Sequence, residues 1–368
     1  MKTIAIIDNS YGVTGAFKAA LSYGLSLSGS FRFIYIIPKG SSTGKQLKKH
    51  NFKYHELYFV ELGKDIGKIL TYLPALVFNS IAIVRIIREE SVGLVHSNDL
   101  YNMSAVCASY FSRTPLVTHA RLIPSSMPNL LIRIWLLAHK WVANNLICVS
   151  KAVYSQISLQ QKVLIYDFLT DLGNPRSKDK NSRHVKFVFI GNYTKGKGQD
   201  LAIKAFGKAH KEIPSMTIEF YGSTFKIKKN EHYKESLQNM VSELKLEGKI
   251  SFHTYLQNVQ SVLETADVSL NFSESESFSF TCLEAIFAGV PLIATRCGGP
   301  EEMIEHGVSG LLVGKKNIDE MSKAMIFLAE SPGRRKEMSE KALDLAKTRF
   351  DKNKSLELLK NIYQDILV

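Results

Sequence analysis

Residues 273–313 constrain the fold most, because they contain a helix, a buried strand and a glycine turn in immediate succession. Phe280–Ala288 has the composition of a helix, which ends where Gly289 takes the position after the last turn and a proline follows. Pro291–Thr295 is an apolar strand, and the glycines of Cys297–Glu302 allow a tight approach of the backbone. The sequence therefore predicts a helix–strand–turn unit of an α/β protein.

Two carboxylates stand eight positions apart at the start of this stretch. Glu284 lies on the predicted helix, whereas Glu276 precedes it among serines that favour turns and helix caps. Ionised carboxylates accept hydrogen bonds from a diol, and the N–H groups of a helix N-terminus bind phosphate. A nucleoside diphosphate sugar combines both groups, although two merely solvated glutamates would give the same pattern.

The stretch also resembles the C-terminal signature of retaining GT-B glycosyltransferases of family 4, the glycosyl transferases group 1. The matching positions are Glu276, Glu284, Ala285, Gly289, Pro291, Ala294, Thr295, Gly298, Gly299, Glu302, Gly307, Gly310, Leu312 and Val313. The resemblance implies a catalytic role for Glu276 and donor contacts by Ser277, Phe278, Ser279, Phe280 and Glu284. Ser277 and Ser279 depart from the family, which usually has glycine at both positions.

A second glycine loop follows the predicted strand Val185–Ile190. The resemblance aligns Gly191, Lys197 and Gly198 with the family's loop, and it implies that Gly191, Asn192 and Lys197 bind the donor. Lys197 would also act in catalysis by neutralising the departing diphosphate. The family's usual arginine is Asn192 here, so charge compensation is lost unless Lys195 or another cation supplies it.

The chain begins with a buried strand, Thr3–Asp8, followed by a glycine loop and a helix. This order of elements is typical of a phosphate-facing turn. The loop lacks the G-x-G-x-x-G fingerprint, which makes NAD binding a weak alternative. The resemblance implies that Gly15 borders the donor and that Tyr11 and Gly12 contact the acceptor.

Another predicted strand, Pro115–His119, presents an imidazole at its end. The resemblance implies that His119 is catalytic, near the donor sugar, and we assign the following Arg121 to the acceptor. The acid that usually follows this histidine in the family is absent. A hydrogen-bonded strand-end histidine without a catalytic role is the alternative.

A length of 368 residues predicts two domains. We expect an N-terminal domain over 1–170, a linker over 171–184, and a nucleotide-sugar-binding domain over 185–351. The helix 352–368 is expected to pack back on the first domain. The resemblance implies the α/β GT-B fold, with two facing Rossmann-like doubly wound domains and the active site in the cleft between them.

Positive charge is concentrated in the first half of the chain. The net charge is +13, and residues 1–175 hold 18 Lys and Arg against 9 Asp and Glu. This excess indicates an anionic partner or solubility alone. The basic and apolar segment Asn129–Val142 indicates interfacial membrane binding or packing on the sheet, and the basic segment Lys39–Lys53 indicates a solvated loop or part of the acceptor mouth. Ile69–Ile87, interrupted by polar residues, is a poor candidate for a transmembrane helix.

The resemblance implies a retaining glycosyltransferase with a UDP- or GDP-linked donor as co-substrate, and with neither cofactor nor metal. The expected acceptor is a lipid-linked or growing surface-polysaccharide saccharide, met in the cytoplasm with peripheral contact at the inner face of the membrane. The absence of C-x-x-C pairs favours a reducing compartment, and no secretory signal is visible at Met1. The alternatives are a nucleotide-sugar 2-epimerase of the same fold and a non-catalytic sugar or nucleic-acid binding module, although no nucleic-acid motif is recognised.

Overall fold

The structure is a computed structural model that describes residues 1–60, 66–170, 184–256 and 258–368. It divides into two compact units, unit 1 from Met1–Phe168 with Lys352–Val368, and unit 2 from Leu169–Asp351. The sequence places the corresponding boundaries at 170, 185 and 351. Except for His184, the expected linker lies outside the described residues.

Seven strands form the sheet of unit 1: β1 (Thr3–Ile7), β2 (Arg32–Pro38), β3 (Lys53–Leu57), β4 (Val92–Ser97), β5 (Leu116–Ala120), β6 (Ala143–Cys148) and β7 (Lys162–Leu164). All neighbours are parallel, in the order β3-β2-β1-β4-β5-β6-β7. The order reverses at β1, where Ile7 pairs with Ile36 of β2 and with Ser97 of β4. The carboxyl ends of β1 and β4 therefore form the crevice at which doubly wound sheets bind ligands.

Helices cover this sheet: α1 (Gly15–Leu27), α2 (Thr43–Lys49), α3 (Ile66–Glu89), α4 (Met103–Ser112), α5 (Asn129–Val142) and α6 (Lys151–Tyr154). Ile83, Ile86 and Ile87 of α3 belong to one buried cluster with Ile34 and Val95 of the sheet. Burial of such side chains is the main source of the unit's stability.

The basic segment 39–53 is not simply a loop, because it contains α2. Its beginning contacts the loop after β1: the Ser42 amide donates to the Tyr11 carbonyl (3.1 Å) and the Ser41 hydroxyl donates to the Ser10 carbonyl (2.7 Å). The start of this segment therefore borders the predicted acceptor loop.

Helix α3 is continuous through Pro74. Its part Leu70–Glu89 is long and apolar enough to cross a membrane by length and composition, with a mean hydropathy of 1.8, and 28% of that window is buried. One helix of this kind is weak evidence for a membrane span, since core helices pass the same test.

Unit 2 contains a second parallel sheet, formed by β8 (Lys186–Ile190), β9 (Thr217–Tyr221), β10 (Ile250–His253), β11 (Val268–Asn271), β12 (Leu292–Thr295) and β13 (Gly310–Val313). The strand order is β10-β9-β8-β11-β12-β13. The connecting and flanking helices are α7 (Gln199–Glu212), α8 (Lys228–Glu243), α9 (Gln260–Leu263), α10 (Phe280–Phe287), α11 (Pro300–Met303), α12 (Ile318–Glu330) and α13 (Pro332–Arg349). Two doubly wound parallel sheets confirm the predicted α/β class.

The last helix, α14 (Lys352–Ile366), belongs to unit 1 although it follows unit 2 in the chain. Tyr363 is fully buried there, with its ring edge-on to Phe31 at 5.5 Å and its hydroxyl 2.6 Å from Nδ1 of His96. The structure thus places the C-terminal helix on the unit to which the sequence assigns it.

Candidate active site

The loop Gly191–Gly198 connects β8 to α7 and lies against the end of β11. Gly198 has a φ of +87°, and a Cβ atom there would lie 2.1 Å from the carbonyl oxygen of Phe272. Only glycine fits both the conformation and the space. This close approach brings Lys197 next to the loop that carries Glu276.

Lys197 and Glu276 form an ion pair at the carboxyl end of the sheet. The Lys197 ammonium donates to Oε1 of Glu276 at 2.6 Å, and the Ser273 hydroxyl donates to the same oxygen at 2.9 Å. Their side chains are 38% and 13% exposed. Desolvation opposes the charge of Lys197, but the attraction and hydrogen bond of Glu276 outweigh it, so the pKa of Lys197 is raised and the ammonium is charged at neutral pH.

The glycine turn after β12 fixes the backbone of the Glu276 loop. The Glu276 amide donates to the Cys297 carbonyl (3.0 Å), and the Gly299 amide donates to the Glu276 carbonyl (2.7 Å). A Cβ atom on Gly299 would lie 2.7 Å from Cα of Phe278, so glycine is required for this approach. The two halves of the sequence motif therefore depend on each other physically.

Helix α10 begins at the same place. Ser279 caps it by accepting from the Cys282 amide (3.4 Å), and the Asn271 side chain donates to the Ser279 hydroxyl (3.1 Å). Glu284 is half-buried in the second turn of α10. The two carboxylates thus come from a loop and a helix, as the sequence predicts.

The serine and phenylalanine positions of the motif have structural contacts of their own. Phe278 is buried, with its ring centroid 5.8 Å from that of Phe280 and 5.7 Å from that of Phe350. The Ser279 hydroxyl is engaged in capping, whereas Ser277 is half-buried. The expected donor contacts of Phe278 and Ser279 stay a prediction.

Asn192 stabilises the glycine loop from within. Its Oδ1 accepts from the Ser223 amide (3.2 Å), and its carbonyl accepts from the Gln199 side chain (2.9 Å). A Cβ atom on Gly222 would lie 2.1 Å from the Gly191 carbonyl oxygen, so this turn is packed as tightly as the other. Lys195 is exposed on the same loop.

In unit 1, the predicted acceptor loop lies at the strand ends where the sheet order reverses. Tyr11 is exposed, and its hydroxyl donates to the Phe59 carbonyl at 2.8 Å. The Gly12 carbonyl accepts from the Thr14 amide (2.9 Å), and Thr14 caps α1. Gly15 is the first residue of α1.

His119 is fully buried, and its predicted catalytic contact with the donor sugar stays a prediction. Its Nδ1 shares a hydrogen bond with Nε2 of His96 (2.6 Å), and its Nε2 lies 3.3 Å from the Tyr23 hydroxyl. Through His96 this chain of hydrogen bonds continues to Tyr363 of α14. Burial lowers the pKa of His119 well below its usual value, so the imidazole is neutral in this network.

Arg121 is also directed into the interior, and its predicted role at the acceptor stays a prediction. Its guanidinium forms a buried ion pair with Asp167, and its Nε donates to Oδ1 of Asn98 at 2.9 Å. Asp167 and Tyr23, which donates to Asp167, are not apparent as site residues from the sequence. For Asp167 a signal existed in the sequence, because an acidic residue directly follows the apolar run Val163–Tyr166.

Asp99 lies at the end of β4, in the crevice of unit 1. Its Oδ1 accepts from the amides of Leu100 (2.7 Å) and Arg121 (3.4 Å). Burial raises the pKa of Asp99 to about 7, so this carboxyl can hold or release a proton near neutral pH.

Among residues 1–60, 66–170, 184–256 and 258–368, no three His, Cys, Asp or Glu side chains are grouped so that they could hold a metal ion. The expectation of a reaction without metal stays a prediction.

The chain is similar to known sequences over part of its length. Residues 173–344 match the family model of glycosyl transferases group 1. N-acetyl-alpha-D-glucosaminyl L-malate synthase from Bacillus anthracis is 29% identical over 181 residues, which are 49% of this chain and 45% of that protein. Poly(glycerol-phosphate) alpha-glucosyltransferase from Bacillus subtilis is 25% identical over 166 residues, 45% of this chain and 24% of that protein. The matched part spans less than half of either relative.

Solved structures share the fold over the whole chain. Anabaena HepE, in a complex with UDP and glucose, gives a TM-score of 0.84 at 19% identity and covers 99% of this chain and 100% of its own. A complex of S. aureus TarM that contains UDP gives a TM-score of 0.79 at 12% identity, with the same coverage. These likenesses confirm the predicted GT-B fold class.

Proposed function

We propose that the protein is a glycosyltransferase that moves a sugar from a nucleoside diphosphate donor to an acceptor hydroxyl with retention of configuration. The observation that carries this proposal is the ion pair of Lys197 and Glu276, fixed at 2.6 Å between two glycine turns inside the part of the chain that matches group 1. Glu284 of α10 belongs to the same motif.

In the proposed reaction, Lys197 stabilises the departing diphosphate. An ammonium group has three donors, and Glu276 accepts one of them, so the others can bind phosphate oxygens. Glu276 thereby orients the cation. As the bond between the anomeric carbon and the diphosphate breaks, charge develops on the leaving oxygen, and a positioned cation stabilises that charge most strongly in the transition state.

The acceptor hydroxyl attacks the anomeric carbon from the face that the diphosphate leaves, and the proton of this hydroxyl passes to the leaving phosphate oxygen. The new glycosidic bond thus replaces the old one with the same configuration. Glu284 accepts hydrogen bonds from the ribose diol, which fixes the donor on α10.

UDP is the favoured nucleotide of the donor, because the structural neighbours HepE and TarM were crystallised with UDP. The missing arginine at Asn192 leaves Lys197 as the main cation of the motif, with the exposed Lys195 as a supplement.

The proposed acceptor is anionic and lipid-linked or part of a growing surface polysaccharide, received by the basic unit 1. The name of the Bacillus subtilis relative includes poly(glycerol-phosphate), which is an anionic polymer. An anionic acceptor agrees with the positive charge of unit 1. Transfer to such an acceptor would take place in the cytoplasm at the inner face of the membrane, with reversible contact through basic side chains.

The proposal is tested by product analysis with UDP-glucose and UDP-N-acetylglucosamine. Thermal shift first identifies which UDP-, GDP- or ADP-sugar stabilises the protein. We expect a UDP-sugar to do so, and UDP release to increase when a suitable saccharide acceptor is added. Conversion of the donor to its 2-epimer without acceptor would instead establish the epimerase, and salt-sensitive oligonucleotide binding without donor turnover would establish the binding module.

A further inference from the structure

Unit 1 contains a cavity of about 280 Å³ whose walls come from α3, the start of α4, α5 and the chain after β3. Its lining is mostly apolar and aromatic, including Phe59, Tyr72, Leu76, Met103, Met127 and Trp135. An engineered apolar cavity of roughly 150 Å³ binds benzene, so this one has room for a larger hydrocarbon.

Part of the cavity lining is polar and adjoins the predicted acceptor loop. Asn9, which follows β1, accepts a hydrogen bond from the side chain of Asn102 at 2.9 Å, and both residues line the cavity. Phe59 lines it as well, and the Phe59 carbonyl accepts from the Tyr11 hydroxyl. A ligand with a polar group at this loop and an apolar tail in the cavity would match both the polar and the apolar part of the lining.

Helices α3 and α5, which form part of the cavity wall, are also apolar on their outer sides. Exposed residues follow at helical spacing on each: Leu70, Leu73, Val77 and Ile81 on α3, and Leu130, Ile134, Leu137 and Trp141 on α5. We call these eight residues the outer face. Trp141 is 78% exposed, whereas Trp135 on the inner side of α5 is buried. Apolar residues on both sides of a surface helix indicate contact with a second apolar phase.

The charges next to the outer face favour a lipid surface over a protein partner. Helix α5 carries exposed Arg133 and Lys140 and contains no acidic residue, and α4 has no charged residue. On α3, Glu89 is paired with Arg85 at 2.6 Å. Basic side chains that flank exposed tryptophan and leucine are suited to an anionic leaflet.

We propose that the cavity binds the hydrocarbon chain of a lipid-linked acceptor, which reaches it from the membrane along the outer face. The phosphate and saccharide of the acceptor stay at the loop after β1. The inference rests on the proposed transfer to a lipid-linked saccharide and adds the site that holds its chain.

The two tryptophans of the chain allow a direct test of chain binding. Trp141→Phe removes the exposed tryptophan and leaves Trp135 as the only reporter, in the cavity wall. Alkyl glucosides with a terminal bromine, kept below their micelle concentration, should quench Trp135 saturably. The affinity should rise about fourfold with each added methylene until the cavity is full, and then level off. Quenching that does not saturate, or an affinity that rises without a limiting length, overturns the proposal.

A blocking variant separates the cavity from the rest of α3. Ala75→Phe fills the cavity from its wall, and Ala82→Phe makes the same change at another half-buried alanine about two turns further along α3. We expect Ala75→Phe, made in the Trp141→Phe background, to weaken the brominated ligand at least tenfold, and Ala82→Phe to change it less than twofold. Equal weakening in both variants contradicts the assignment.

The acceptor is distinguished from a membrane phospholipid by kinetics in detergent. For each enzyme, kcat/KM is measured for a lipid-linked acceptor and for the same saccharide without its chain. The ratio of the first value to the second should be at least tenfold lower in Ala75→Phe than in the wild type. An unchanged ratio with weaker vesicle binding would mean that the cavity holds a phospholipid and would overturn the proposal. Saturable quenching without sugar transfer would support the cavity and contradict the proposed function.

Discussion

Removal of the Lys197 ammonium should slow transfer by about a hundredfold. A positioned donor that stabilises developing negative charge contributes about 10²–10³-fold to kcat. Lys197 is 38% exposed, and water therefore screens part of its charge, which favours the lower limit. A hundredfold loss corresponds to about 2.7 kcal/mol of transition-state stabilisation. The assay is UDP release under saturating donor, with Lys204→Ala, an exposed lysine on the neighbouring helix α7, as the control.

Lys197→Ala also leaves the Glu276 carboxylate, 13% exposed, without its cation. An unpaired buried carboxylate costs about 1–3 kcal/mol of unfolding free energy, so slow turnover could reflect a distorted site. The double variant Lys197→Ala with Glu276→Gln removes both charges and separates the two causes. We expect its thermal stability to recover while kcat stays low. Recovery of kcat in the double variant, or less than a tenfold loss in the single variant, would refute the reasoning.

Glu284→Gln should weaken donor binding by about 1–3 kcal/mol, because a charged acceptor for the ribose diol is replaced by a neutral amide; unchanged affinity in calorimetry would remove that role. Asn192→Ala should reduce turnover less than Lys197→Ala, and Asn192→Arg should raise donor affinity if Lys195 does not already compensate; equal losses in the two alanine variants would make Asn192 the principal contact. The wild type should sediment with anionic liposomes at low salt and not at high salt, and Arg133→Glu with Lys140→Glu should weaken this; indifference to liposomes would leave charge as a solubility feature. Burial lowers the pKa of His96 to about 3, so the unfolded chain binds more protons below about pH 6.5 and stability should fall as the pH falls from 6.5 towards 3. Thermal unfolding that is independent of pH over this window would contradict a buried neutral histidine.

The sequence predicts the motif-bearing unit well, because its constraints are local. The helix predicted over Phe280–Ala288 is observed over Phe280–Phe287, since a serine cap and a glycine end define it within one segment. The ion pair of Lys197 and Glu276 joins residues 79 positions apart, but each residue stands at a fixed place in its own loop. Resemblance to a family therefore identified both residues, but only the structure shows that their side chains are in contact.

Burial of the unit 1 residues could not be predicted from local pattern. A histidine at a strand end has the same sequence signal whether it faces a ligand or the interior. His119 is enclosed because Tyr23 and His96 stack near it, and because Tyr363 closes the chain of hydrogen bonds from 267 positions away from His96. Such contacts depend on how the last helix packs, which no local pattern specifies.

Helix α5 shows why two alternatives stayed open at the level of sequence. The pattern predicted either membrane contact or packing on the sheet, and the structure shows an inner side with Ile132, Trp135 and His139 buried. Its opposite side is exposed and apolar. Periodicity identifies a helix that is apolar on both sides, but only the tertiary arrangement shows which side is covered.

Retention during donor hydrolysis tests the central claim most directly, because water serves as the acceptor and no natural acceptor is needed. The protein is incubated with UDP-glucose, whose glucose is α-linked, and the released sugar is followed by proton NMR before mutarotation. We expect UDP together with α-glucose as the first product, and loss of both in Lys197→Ala. Initial release of β-glucose would contradict retention, and no release of nucleotide from any UDP-, GDP- or ADP-sugar, with or without saccharide acceptors, would contradict glycosyl transfer itself.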